Sequence, residues 1–371
     1  MGYEIDDLAL QTLLSAIGRA EDQVARLDEL VRRSPVGDGF AERGHFFDAA
    51  ASMWVAGELV HMDDLVLHDA RMDVRAPTHE LTIAHQILRV RRRIANGKAD
   101  WATSNAGIAC LTGYAELALE QPAEEERVPS DEPAGLDFPD DDDAFAKELA
   151  SFDAVLDQSQ QVLDRVSKGQ QEQVRAPLVV GELMIRDPDW DEEDRLTQWK
   201  RVLQDTAGIP ATLASAVLWD AWETLEPMQR QHWLGSQLIS ANLRARGKVT
   251  SHLFGFNVGL KAVPREQRRS SNRITRLLAF LDAMSASAEA GIKEIARLTQ
   301  AREQMTRRLK GRRSSSNLPA AIDLALSRPV VSASTVAKAA KVTQRGALGL
   351  IAELGIRELT GRGRYRAWGV I

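Results

Sequence analysis

Residues 318–371 constrain the fold most, because capping residues recur there at the spacing of three short helices and the pattern then turns to alternation. Pro319–Ser327 carries Ile322, Leu324 and Leu326 at helical spacing, and Val330-Val331 reads as a short strand leading into Ser332, a good N-cap. Ala333–Ala340 forms a second helix burying Val336 and Ala340. The turn Lys341-Val342-Thr343 supplies another N-cap for a third helix, Gln344–Leu354, in which Ala347, Leu348 and Ile351 are expected to be buried. Gly355 ends it as a left-handed C-cap would. Ile356 and Glu358, then Tyr365, Ala367 and Gly369, lie on either side of the tight Thr360-Gly361-Arg362-Gly363, the pattern of a two-stranded wing. The order is that of a winged helix-turn-helix.

In such a module the third helix presents its first turn to the major groove, and wing cations neutralise phosphates. The expected DNA contacts are therefore Ser332, Thr343, Gln344, Arg345, Arg357, Arg362, Arg364 and Arg366, with double-stranded DNA as the partner. Small three-helix units with a hairpin also serve as protein-interaction modules, so an adaptor is the alternative for this segment. A homodimer is expected, since one module rarely supplies enough specificity alone.

The charge distribution agrees with a polyanionic partner at one end. The 371 residues carry 47 basic and 53 acidic side chains, a formal net charge of -6. Through Lys261 there are 26 basic and 45 acidic residues, a net -19; beyond it there are 21 and 8, a net +13. Residues 314–371 hold +5 of that excess, and the stretch from Ala262 holds the other +8.

The rest of the chain reads as helical. Residues 4–33 repeat apolar positions at helical spacing as one or two helices, stopped by Arg32-Arg33-Ser34-Pro35, and Phe46–Val60 and Thr78–Ile94 follow. Arg89, Arg91, Arg92 and Arg93 crowd the end of the last of these, where cations suit the helix dipole. Glu120–Asp143 holds eleven acidic residues, four prolines and one arginine, the composition of a solvated linker or insertion. Helical patterning resumes at Ala144–Ser167, breaks at Pro177, Pro188 and Pro210, and ends in a long helix from about Ser270 to Arg312. Its distal part carries Arg302, Arg307, Arg308, Lys310, Arg312 and Arg313, a surface that could face phosphates. The fold expected is mainly α, with an N-terminal helical region (1–119), an acidic linker (120–143), a central helical core (144–313) and a winged helix-turn-helix (314–371).

Chemistry-bearing motifs are lacking. Gly247-Lys248 precedes Thr250, but Asn242 stands where a phosphate loop needs glycine. His79 and His85 are six apart, about 240° around a helix, whereas a zinc-protease pair needs four on one face. His61 and His68, seven apart, have no cysteine neighbours to complete a metal set. No catalytic residue, cofactor or metal is expected. The single cysteine, Cys110, is expected to be a small buried apolar residue. No run of 18 apolar residues suggests a membrane span, and the N-terminus is acidic where a signal peptide would be basic, so a cytoplasmic location is expected.

Residues 210–371 resemble a bacterial family of uncharacterised, often plasmid-borne proteins with a C-terminal DNA-binding helix-turn-helix domain, and more distantly the Fic (filamentation induced by cAMP) proteins. The resemblance lies in Leu277-Leu278-Ala279-Phe280-Leu281, Arg313-Ser314-Ser315-Ser316, Ser327-Arg328-Pro329-Val330-Val331, Ala352-Glu353-Leu354-Gly355-Ile356 and Thr360-Gly361-Arg362. Ala49–Gly57 sits where Fic proteins of this layout carry an inhibitory helix. Active Fic enzymes transfer AMP with a His-Pro-Phe-x-Asp/Glu-Gly-Asn-Gly-Arg loop, whose nearest counterpart here is Glu226–Gly235. There Glu226 replaces the histidine, Arg230 the metal carboxylate and Gln231-His232-Trp233 the Gly-Asn-Gly run, while Ala56 replaces the inhibitory glutamate. The resemblance implies a catalytically silent Fic-like body. The leading expectation is a non-enzymatic DNA-binding regulator of transcription or of a plasmid; the rival is a divergent nucleotidyl transferase using Glu226 or His232 as base.

Overall fold

The computed structural model describes residue 3 and residues 9–72, 76–113, 190–309, 318–359 and 366–370. The expected helix at 144–167, the linker at 120–143, the boundaries at 119 and 313, and the wing tip with Arg362, Arg364 and Tyr365 lie outside the described residues.

Among these residues the chain is mainly helical, and the only strands fall in the last 41 positions. Residues 10–33 form one helix, α1 (Leu10–Arg33), buried through Leu13, Ile17, Ala20, Val24, Leu27 and Val31 at three- and four-residue spacing. The second helix begins nine residues earlier than its apolar pattern suggests: α2 (Gly37–Ala56) starts just past Pro35. It ends before Val60 because Gly57 takes the left-handed conformation, φ 98°, that closes a helix. α3 (Met62–Asp69) and α4 (His79–Asn96, N-capped by Thr78) follow, then α5 (Asn105–Thr112). Cys110 on α5 is only partly buried.

The central helices are α6 (Glu192–Asp205), α7 (Ala211–Leu225), α8 (Leu234–Ala245), α9 (Phe256–Ala262), α10 (Arg265–Arg268) and α11 (Arg273–Leu309). With 37 residues, α11 is the spine, about 55 Å long. α1 lies along it and α9 crosses it so closely that a Cβ on Gly259 would sit 1.8 Å from the Ala283 carbonyl. The aromatic centre stacks edge to face, with Trp199 on Trp222 and Trp219 on both Phe256 and Phe280.

A polar network runs through this apolar interior. Arg91 and Asp48 form an ion pair in which neither side chain is exposed. Arg91 also donates to Gln237 Oε1 at 2.8 Å and to the carbonyls of Leu253 and Phe254, while Asp48 accepts from the backbone and side chain of Asn257. Arg91 is therefore a core residue and not a dipole-facing surface cation. Arg92 beside it forms a second cluster with Glu42 and Asp69. Burial works to raise the Asp69 carboxyl, but hydrogen bonds from His85 and Arg92 and the charges of Arg92 and Arg328 outweigh it and hold the group well below the usual carboxylate range.

Residues 318–370 then build α12 (Leu318–Ser327), β1 (Val331–Ser332), α13 (Ala333–Ala340), α14 (Gln344–Leu354), β2 (Arg357–Glu358) and β3 (Ala367–Gly369). The sheet has the order β1-β3-β2, antiparallel throughout, with Val331 opposite Trp368 and Arg357 opposite Gly369. This is the winged helix-turn-helix that the capping pattern implies, and α13 and α14 begin and end at the expected residues.

Candidate nucleic-acid interface

Local capping positions α14. Ser332 and Thr335 make a reciprocal capping box that starts α13. Lys341, at φ 52°, turns the chain, and Thr343 accepts from the Gly346 amide to start α14. Ala347, Ile351 and Leu354 face inward, and Gly355 closes the helix at φ 64°. The opposite side is open: Thr343, Gln344 and Arg345 are exposed, and Gln344 and Arg345 have no hydrogen-bond or ionic partner among the described residues. A backbone N-terminus with exposed donors suits both a base edge and a phosphate.

The other expected contacts divide. Arg357 is exposed on β2 without a partner among the described residues. Arg366 lies over the Trp368 ring and donates to both Glu358 oxygens, which holds that carboxyl below its ordinary range. Its charge is thus already shared with an acid. Ser332 is turned inward, 8% exposed, with its hydroxyl against Thr335, Ser334 and the Met72 sulfur. It is a cap and a contact to the body, not a surface donor.

One expected core residue is misplaced in the pattern: Leu348 is 40% exposed on α14, because the inward face of this helix runs through Ala347, Ile351 and Leu354. Arg308, expected to face phosphate from the end of α11, instead donates to the Leu354 carbonyl and fits against Gly355 at the end of α14.

Body side chains hold the module from two more directions. Arg43, 2% exposed on α2, donates to the carbonyls of Ala325 and Arg328 and to Glu294. Burial pushes its guanidinium down to about 10 despite the Glu294 carboxylate. Arg297 bridges Glu294 to the Val370 carbonyl. In return Arg328 pairs with Glu42 and Asp69, which Arg92 already holds. No pattern in the sequence marks Arg43 or Arg297 for this role, since their acceptors are main-chain carbonyls some 70 to 290 positions away.

The segment equated with the Fic loop joins α7 to α8. Glu226 is left-handed at φ 44° and its carbonyl accepts from Trp190, Met228 is buried, and the Trp222 indole donates to the His232 carbonyl. His232 lies 3.4 Å from Glu223. Among the described residues no group of histidine, cysteine and acid side chains has the arrangement of a metal site, and no helix is long and apolar enough to cross a membrane.

Comparison with known proteins bears on these observations. A protein of Sinorhizobium fredii, described as "Uncharacterized protein y4cF", is 43% identical over 383 residues that span 100% of both chains. The chain belongs to the y4cF family. A model described as a protein of unknown function (DUF1612) matches residues 184–310, the α6–α11 body, and a model described as an HTH DNA binding domain matches residues 318–371. This member of the y4cF family thus joins a helical body to a C-terminal helix-turn-helix DNA-binding domain, in which the first turn of α14 is exposed.

Proposed function

We propose that this protein is a sequence-specific double-stranded DNA-binding regulator whose helical body is a non-enzymatic scaffold. The observation that carries the reading is the exposed first turn of α14, where Thr343, Gln344 and Arg345 stand at an open helix N-terminus on a matched DNA-binding domain. Gln344 and Arg345 suit adenine and guanine edges respectively, and Arg357, with Arg362 and Arg364 of the wing tip, suits phosphates. The scaffold reading is supported by the α7–α8 connection, where Gln231-His232-Trp233 stands in place of the bare glycine backbone a triphosphate would need and the Trp222 indole already occupies the His232 carbonyl.

A protein of this kind acts as a dimer on a two-fold-related site, since one reading helix contacts too few base pairs to find one address in a genome. Selection of bound duplexes from a random pool by the full-length chain tests this: an enriched site with two inverted half-sites is expected. Recovery of unenriched sequence, or retention of label from ATP lost on His232→Ala, overturns it.

A further inference from the structure

The outward stripe of α14 is unusual for a surface helix. Residues 345, 348, 349 and 352 fall within one side of the helix at 100° per residue, and beyond Arg345 that side is Leu348, Gly349 and Ala352, with no polar side chain. Leu348 is one of the few large apolar side chains exposed among the described residues. Gly349 is exposed as well, and a Cβ added there would meet nothing within 4 Å. Glycine in a helix interior is destabilising relative to alanine, and here no packing among the described residues demands it. Its φ is not in the left-handed region either. Packing among the described residues therefore does not account for a smooth, apolar, weakly stabilised face on this helix.

We infer that this face takes the C5-methyl group of a thymine, with Leu348 as the specificity-determining side chain and Gly349 as the position that lets the helix backbone come close enough to seat it. The inference rests on the proposed reading of duplex DNA. In the major groove each base pair shows a distinct edge, and the thymine methyl is the apolar feature of the four. Leu348 lies three residues beyond Arg345, a rise of about 4.5 Å, close to one base-pair step. The half-site thus carries a guanine facing Arg345 and, one or two steps away, a thymine against Leu348. Ala352, a turn further, extends the same apolar contact without adding a hydrogen bond.

Deoxyuridine differs from thymidine by this methyl group alone, so it isolates the contact. With the selected duplex and the full-length chain, each thymine is replaced in turn by deoxyuridine. One position near the guanine is expected to lose about 3- to 10-fold in affinity with the wild type and nothing with Leu348→Ala. Gly349→Ala is expected to raise the thermal midpoint while weakening binding at least 10-fold. Wild-type affinity in Gly349→Ala, or a deoxyuridine series unchanged by Leu348→Ala, overturns the inference while leaving DNA reading intact. A wild-type chain that binds no duplex overturns both.

Discussion

Arg43, on the second helix of the body, donates to the carbonyl of Arg328 just beyond the first helix of the DNA-binding module. With Arg297 on the Val370 carbonyl and Arg308 on the Leu354 carbonyl, it makes the body a donor to main-chain carbonyls at three points of the module. The orientation of α14 is thereby tied to the body and not left to a tether. A dimer built through such bodies would hold its two reading helices at a set spacing, which is what a fixed operator geometry needs.

Arg43→Ala leaves the Ala325 and Arg328 carbonyls and the Glu294 carboxylate short of a donor, and should cost about 3 kcal/mol in urea denaturation. Arg43→Lys should recover less than half of this, because a point charge does not span acceptors that a planar guanidinium serves together. Full rescue by lysine would show that charge alone holds the module.

The Asp48–Arg91 pair has a different signature. Asp48→Asn strips the charge partner from a guanidinium with no solvent exposure and should destabilise by about 3–5 kcal/mol. Adding Arg91→Met should restore part of the loss, since two apolar or neutral groups are tolerated better than one unpaired ion. Equilibrium unfolding of the single and double variants distinguishes these cases, and strictly additive losses would contradict the pairing.

The acid side of the stability profile follows from buried imidazoles. Burial, with a lesser contribution from the Arg91 charge and against the pull of Asp28, pushes His252 down to about 4. An unfolded histidine titrates near 6.5. Between these values the unfolded chain binds a proton that the folded chain refuses, so the stabilisation is complete above pH 6.5 and is lost as the pH falls toward 4. The loss from His252 is on the order of 3 kcal/mol. His45, held low by burial and by Arg91 and Arg92, adds to it with the same sign. Urea midpoints at pH 7.5, 6 and 5 should fall steadily for the wild type and less steeply for His252→Asn; equal slopes would contradict the assignment.

What the sequence made legible was local. Ser332, Thr343 and Gly355 act within three or four residues of themselves, so the ends of α13 and α14 could be placed to the residue. Leu348 lies outside because a helix of eleven residues has room for two apolar stripes, and only the packing of Ala347, Ile351 and Leu354 decides which is inside. Arg91 reads like its neighbours Arg89 and Arg93 until Asp48, 43 positions earlier, is brought against it. The contacts of Arg43, Arg297 and Arg308 with the module leave no trace in the sequence, since a main-chain carbonyl has no residue identity.

Wing and reading-helix arginines should behave differently toward salt. Arg357→Ala removes a proposed phosphate contact and should weaken binding to all duplexes alike, lowering the slope of log affinity against log salt by about 1. Titrations from 50 to 200 mM salt check this. A loss confined to the preferred sequence would instead place Arg357 on a base.

The central claim is that the first turn of α14 reads base edges in duplex DNA. The most direct measurement is the affinity of the full-length chain and of Arg345→Ala for the selected duplex and for a shuffled duplex of the same composition, at one salt concentration. The account expects the wild type to prefer the selected duplex by at least about 1000-fold and Arg345→Ala to give up 10-fold or more of that preference, a loss of about 1–3 kcal/mol on the selected site alone. Equal affinity of the wild type for both duplexes, or a preference untouched by Arg345→Ala, would contradict it.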